Sequence, residues 1–394
     1  MGLRREGIPR LPVFGWQALR GRSHAEVPCM LGLPGLRYST SGRASILLAL
    51  EALDVGPGDQ VLLPTYHCPT MVAPASGLRA VPVFYPIDAH GSPDLAWLDR
   101  QDLGRARALL AAHYFGLPQP MAALRQWCTA RGIALVEDCA HALFGRSGER
   151  PVGAWGDIAI GSLTKFLPVP EGGCIVVNGT AQLPALHRAS LTMGLKSVVD
   201  ILEVGASQHQ LTGLNGLISG GLAGLRRLRG VPTLPSEAAL AEPSSGADAP
   251  GLSTDFTVDA ALAHRELATP CRWVAQTLPR ERIVERRRRH FERLLAVLGG
   301  RPGLRPLVAH LPPDCAPYVF PLWVDTPDPG YAELRRLAMP VFRWDRLWPG
   351  VPVLPADHGL QWSHHVLQLA CHQDLSDAQL EGFATEILRL YSRR

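Results

Sequence analysis

Residues 108–138 read ALLAAHYFGLPQPMAALRQWCTARGIALVED, and this stretch decides the fold. Ala108 to Ala112 is a short apolar run of strand length. Met121 to Arg131 carries its apolar residues at helical spacing, and Ile133 to Val136 is a second apolar run that ends in Glu137-Asp138. A strand, a helix and a strand within roughly 30 residues is the signature of a parallel pair joined by a crossover helix. The same alternation extends both ways. Upstream come a helix over Arg43–Leu53, a strand over Gln60–Leu63, a short helix over Met71–Ser76 and a strand over Ala80–Tyr85. Downstream come strands at Ile158–Gly161 and Cys174–Val177. The order predicts an α/β fold, a mostly parallel sheet with helices on both faces. Such sheets bind ligands at the carboxyl ends of their strands, so the polar residues just past those ends matter most.

The rest of the chain is read around this block. Residues 1–231 are expected to form the large domain, including an irregular arm at about 193–231. Val204 to Leu225 carry no formal charge, yet six glycines with Gln208, His209, Gln210 and Asn215 argue against a membrane span. A surface or dimer-contacting arm is expected, with peripheral membrane contact through 197–229 as the second reading. Residues 232–254, rich in Pro, Ser, Ala and Gly, read as a linker or loop. Residues 255–394 are expected to form a smaller α+β domain, with helices at 256–277, 280–298 and 375–390 and strands at 318–324 and 340–343. The basic run Arg286 to Arg289 reads as a solvated helix face.

The 394 residues fit about two domains, and 46% hydrophobic with 19% charged residues supplies a sizeable core and excludes bulk disorder. The net charge of +4 gives no case for a nucleic-acid partner. The eight cysteines show neither a CxxC pair nor zinc-ligand spacing, so they read as reduced, buried residues, and no metal is expected. No apolar segment follows the basic start, so the expectation is a cytoplasmic protein.

Of 39 basic residues only Lys165 and Lys196 are lysine. Arginine replaces lysine in most cationic roles but stays protonated and forms no Schiff base. A retained lysine is therefore a candidate for amine chemistry. Lys196 has no polar setting and reads as a surface residue.

Lys165 does have one. It follows a strand and sits beside Ser162 and Thr164. Pro170-Glu171-Gly172-Gly173 comes next, with glycines that permit close backbone approach. Glu137-Asp138-Cys139-Ala140-His141 ends another strand, and an acid buried there needs a cation or hydrogen-bond donors. Ser41-Gly42-Arg43 leads into the first helix, where free backbone N–H groups suit a phosphate, or where Ser41 is simply the helix cap. Lysine for an aldehyde, aspartate for a pyridinium nitrogen and donors for a phosphate together point to pyridoxal 5'-phosphate (PLP).

The sequence also resembles the DegT/StrS-type sugar aminotransferases, a branch of the fold-type-I PLP enzymes. The matching stretches are SGRAS at Ser41, GPGDQVLLP ending at Pro64, HYFGLP at His113, VEDCAHA at Val136, VGAWGD at Val152 and TK…EGG from Thr164. The resemblance implies that Lys165 bears the cofactor as a Schiff base and shuttles the proton, that Asp138 keeps the ring nitrogen protonated, and that His141 lies near the ring hydroxyl. Ser41, Gly42, Arg43 and Ser162 would hold the phosphate. The family's usual aromatic segment is replaced by Thr65-Tyr66-His67-Cys68-Pro69. Simple alignment puts Cys68 at the stacking position, and His67 or Tyr66 is expected to cover the ring. The segment by which a neighbouring subunit completes the phosphate site has no counterpart at its usual place, and Ser162 lies closer to the lysine than the family serine does. Arg343 and Cys371-His372-Gln373 are similar in position to late substrate-proximal motifs, or are ordinary structural residues. The implied protein is a homodimeric aminotransferase that takes an amino group from a small-molecule donor such as glutamate to a keto acceptor, a nucleotide-linked keto sugar by family analogy. A PLP-dependent lyase and a non-catalytic PLP-fold protein are the alternatives.

Overall fold

The computed structural model describes residues 7–20, 27–221 and 257–391. The expected linker 232–254 and residues 222–231 of the expected arm lie outside the described residues.

Seven strands form the central sheet: β1 (Arg37–Ser39), β2 (Gln60–Pro64), β3 (Val81–Tyr85), β4 (Ala106–Ala112), β5 (Ala134–Asp138), β8 (Ile158–Ser162) and β9 (Gly173–Val177), in the order β1-β9-β8-β5-β4-β2-β3. A small hairpin, β6 (Arg146–Ser147) with β7 (Arg150–Pro151), stands apart from it. The run β3-β2-β4-β5-β8 is parallel throughout, while β9 pairs antiparallel with both β8 and β1. The helices are α1 (Gly42–Ala52), α2 (Pro69–Gly77), α3 (Leu95–Leu98), α4 (Ala122–Arg131) and α5 (Leu191–Ser207). Two apolar clusters take the two faces of the sheet. Val61, Leu63, Leu110, Val136 and Ile160 pack with α1 and α2, and Leu62, Leu109 and Leu135 pack with Leu124, Trp127 and Cys128 of α4. Neighbours in one strand fall in opposite clusters because side chains alternate across the pleat. The expected elements of this half all form, with ends displaced by at most two residues.

The second half supplies a four-stranded antiparallel sheet in the order β10-β11-β13-β12, from β10 (Leu304–Pro306), β11 (Val319–Val324), β12 (Val341–Phe342) and β13 (Val366–Ala370). Its helices are α6 (Ala260–Ala263), α7 (Thr269–Thr277), α8 (Arg280–Leu298), α9 (Gly330–Arg336), α10 (Gly359–His365) and α11 (Asp377–Tyr391). The single helix expected over 256–277 is instead two short ones, because Pro270 starts a new helix at its N-terminal turn. The two halves interpenetrate. Cys271, Val274 and Ala275 of α7 bury with Leu143, Phe166 and Cys174, while Pro9 O accepts from His372 Nε2 at 2.9 Å and Val13 N donates to Asp374 at 3.1 Å.

The region read as an arm is more integrated than expected. Ile201 and Leu211 are buried in the same cluster as α7, and Trp16 donates to Thr212 O. Leu191, Leu195 and Leu217 remain exposed. No described helix is long and apolar enough to cross a membrane.

The arginine run is not a solvated face. Arg287 is fully buried, and Arg286 and Arg288 donate to the carbonyls of Gln373, Leu375 and Pro312, leaving Arg289 outermost. Seven of the eight cysteines are buried, Cys68 is half-buried, and none of the eight is in a disulfide.

Candidate active site

A cavity of about 350 Å³ opens where β4, β5 and β8 end. Ser41, Gly42, Arg43, Asp138, His141, Ser162 and Lys165 all line it, so seven of the eight residues expected at the site meet in one place.

The two acids at the end of β5 part company there. Glu137 turns away from the cavity into a fully buried nest. Its Oε1 accepts from His113 Nε2 at 2.9 Å and Gly153 N at 2.7 Å, and its Oε2 from Trp155 N at 2.8 Å and Gly156 N at 3.0 Å. Burial raises its pKa, but these donors, His113 first, hold it below the ordinary carboxylate value. Gly156 is required, since a Cβ there would meet the Glu137 backbone nitrogen at 2.9 Å. His113 Nδ1 accepts from Gln119 N at 2.8 Å, which puts the ring proton on Nε2.

Asp138, the next residue, points to the other side. Its Oδ1 accepts from Ala140 N at 2.8 Å, and its Oδ2 takes no hydrogen bond among the described residues. Burial raises its pKa against the opposing pull of Lys165 and His113. An ionised carboxylate in that position asks for a cationic donor.

His141 stands between two aromatic rings from the second half, Tyr318 at 4.5 Å and Trp344 at 4.9 Å between centroids. Burial, then the nearby Lys165, holds its pKa well below the usual histidine value, so the ring is neutral. Lys165 follows β8, and its Nζ lies 5.4 Å from the Tyr318 ring centroid.

One end of the cavity is built on the start of α1. Ser41 Oγ caps the helix by accepting from Ala44 N at 3.1 Å, which leaves the first-turn N–H groups of Gly42 and Arg43 at the cavity edge. Ser162 Oγ lies 3.3 Å from Thr164 Oγ1. Arg43 Nη1 donates to Thr257 O at 2.6 Å. Gly173 must be glycine, because a Cβ would come within 2.2 Å of Ser41 O.

His67 is the expected site residue that the structure does not bring to the cavity. Its Nδ1 pairs with Pro64 O at 2.9 Å, its Nε2 accepts from Trp348 N at 3.0 Å, and its ring stacks on Phe84. Burial pushes its pKa down to about 4. Tyr66 is likewise buried in an aromatic cluster with Tyr114, Phe115 and Trp362. Cys68 and Trp344 line the cavity instead. Arg343 is not among the lining residues; it pairs with Asp328 and Asp345 over the Tyr331 ring. His372 and Gln373 are buried structural donors and acceptors. Sequence reasoning missed Trp344 and Tyr318, and the only local signal was the position of Trp344 next to Arg343 at a strand end.

The donor set fits a phosphorylated pyridine aldehyde. One amine, one carboxylate with an oxygen that takes no hydrogen bond among the described residues, one neutral imidazole and one helix N-terminus face a single cavity.

Comparison with known proteins finds similar sequences and similar folds. A UDP-N-acetyl-3-dehydro-alpha-D-glucosamine 3-aminotransferase of Acidithiobacillus ferrooxidans is 32% identical over 161 residues, 39% of this chain and 43% of that protein. A dTDP-3-amino-3,4,6-trideoxy-alpha-D-glucose transaminase of Streptomyces venezuelae is 36% identical over 36% of this chain and 38% of that protein. The matched stretch thus spans less than half the length of these curated relatives. Solved structures match almost throughout. A putative sugar aminotransferase of Streptococcus pneumoniae superposes with a TM-score of 0.61 at 16% identity, covering 98% of both chains. The DesV structure of S. venezuelae, in complex with a ketimine intermediate, gives 0.60 at 20% identity over 91% of this chain and 85% of that one. These structures share the α/β fold of the PLP-dependent aminotransferases. Residues 38–215 match the model of the DegT/DnrJ/EryC1/StrS aminotransferase family.

Proposed function

We propose that this protein is a PLP-dependent aminotransferase that carries an amino group from an amino acid, glutamate in the first instance, to a keto sugar, nucleotide-linked in the first instance. One observation carries the reading: Lys165, Asp138, His141 and the start of α1 converge on a single cavity at the strand ends. The names of the relatives, one an aminotransferase of a UDP-linked 3-dehydro sugar and one a transaminase of a dTDP-linked amino sugar, support the acceptor class.

PLP, when bound, supplies an aldehyde that condenses with amines and a ring that accepts electrons. Lys165 Nζ would hold the aldehyde and, when free, would take the proton from the donor Cα. Asp138 would accept a hydrogen bond from the protonated ring nitrogen at its Oδ2 and so keep that nitrogen charged. His141, neutral and in contact with Tyr318 and Trp344, would face the ring hydroxyl without adding a charge. The first-turn N–H groups of α1 and the Ser162 hydroxyl bind the phosphate. Trp344 and Tyr318 keep water from the Lys165 end. The protein works as a homodimer in the cytoplasm in this reading, with the exposed apolar residues of α5 available to a second copy.

The test is the visible absorption spectrum of the protein with PLP, wild type beside Lys165→Ala, before and after glutamate. The expected result is a band near roughly 410–430 nm in the wild type only, bleached by glutamate. No band with added PLP would refute the reading. A band that no amino donor changes would favour a lyase or a non-catalytic PLP-binding protein.

A further inference from the structure

Arg287 is fully buried, and no carboxylate lies within ion-pair distance of it among the described residues. A guanidinium in that situation is costly to bury, so what it binds matters. Its Nε donates to Gln373 Oε1 at 2.8 Å, its Nη1 to Pro317 O at 2.9 Å and Tyr318 O at 3.1 Å, and its Nη2 to Lys165 O at 2.7 Å. Its flat face lies over the Phe166 ring. Gln373 then donates from Nε2 to Phe166 O at 2.8 Å. Two consecutive carbonyls of the Lys165 loop are thus gripped by side chains from α8 and from the end of β13. The same guanidinium fixes the backbone of Tyr318, whose ring faces both Lys165 Nζ and His141. The neighbouring Arg288 binds carbonyls too, but those of Pro312 and Cys315, away from the cavity.

We propose that Arg287, together with Gln373, is a positioning residue for Lys165: it fixes the lysine backbone and the Tyr318 ring in one rigid fork and so sets where the amine stands. This rests on reading Lys165 as the cofactor lysine.

The test uses the fact that the chain has only two lysines. Cofactor-free protein is labelled with trace acetic anhydride from about pH 6 to 11, which spans the ordinary lysine range. Labelling of Lys165 and Lys196 is then read by peptide mass spectrometry. The variants are Arg287→Gln and Gln373→Met, with Arg288→Gln as the packing control, and melting temperature is recorded for each. In the first two the Lys165 profile is expected to move toward that of exposed Lys196, which itself stays fixed. Arg288→Gln is expected to lower the melting temperature and leave the Lys165 profile in place. In PLP-loaded protein the glutamate half-reaction is expected to slow ~10–100-fold with little change in donor KM, with part of the loss restored by Arg287→Lys. Lys165 profiles that superpose on wild type, or an equal shift in Arg288→Gln, would overturn the proposal and leave only a packing role. If Arg287→Gln does not fold, Gln373→Met decides alone. A wild type with no PLP band would sink the aminotransferase reading, while the labelling comparison would still decide the positioning role.

Discussion

Replacing Glu137 by glutamine changes one buried atom and tests whether the two acids of β5 have separate jobs. The carboxylate accepts four hydrogen bonds, two at each oxygen, all from N–H donors. A glutamine keeps one acceptor oxygen. With that oxygen toward His113 and Gly153, its NH2 group faces the N–H groups of Trp155 and Gly156. With the amide flipped, it faces His113 and Gly153 instead. His113 cannot adapt by moving its proton, because Nδ1 is committed to Gln119 N. Either way two buried donors lose their acceptor. At about 1–3 kcal/mol for each, the loss is about 2–6 kcal/mol, a large share of a typical domain's stability. Urea unfolding followed by tryptophan fluorescence would measure it. The PLP band of the variant that remains folded is expected to be unchanged, since Glu137 does not line the cavity. The pH dependence has a definite sign. The Glu137 pKa is depressed on folding, so its contribution is full above the ordinary carboxylate range and is lost as pH falls through the lower folded value. Glu137→Gln should remove that part of the acid sensitivity. A loss below about 1 kcal/mol, less than one unsatisfied donor, would refute the reasoning.

Asp138→Asn, at the neighbouring position, should do the reverse: unfolding is expected to shift little, while the glutamate half-reaction falls ~100-fold or more for want of a charged ring partner, read by stopped-flow absorbance. Trp344→Ala uncovers one face of His141 and should raise its pKa toward the ordinary value, visible as an upward move of its imidazole NMR titration. Gly173→Ala drives a methyl group against the Ser41 carbonyl, and a loss of PLP affinity of ~10-fold or more is expected by titration, because the α1 turn must shift. His67→Ala should lower the melting temperature, since the Trp348 N–H loses its acceptor, and leave the PLP band in place.

The parallel sheet was legible because each of its strands is a short apolar run bounded by turn residues, and its helices carry one apolar face. Lys165, Asp138 and Ser41 were legible because strand ends and a helix start are visible in the same pattern, and such ends converge in an open α/β sheet. His67 misled because proximity in sequence says nothing about side-chain direction; Pro64 O and Trp348 N turn its ring away from the cavity. The arginine run misled for a related reason. A helical wheel shows a polar face, but the carbonyls that meet it belong to loops at 312–318 and 373–375, which no local pattern places there. Trp344 and Tyr318 reach His141 only through the β10-β11-β13-β12 order, a long-range arrangement with no sequence spacing of its own.

The antiparallel strand β9 ties the start of the chain to the lysine loop. Strand β1 is hydrogen-bonded in the sheet to β9 alone, with Ser39 opposite Gly173, and β9 pairs on its other side with β8, with Ser162 opposite the same glycine. The anion turn at Ser41 and the amine at Lys165 are therefore indexed to each other by one residue of one strand. Nothing at the cavity can be complete while a nascent chain has yet to deliver that strand, however well the earlier strands have paired. A slip of β9 by a single position would turn its side chains to the opposite faces and move both anchors out of register together.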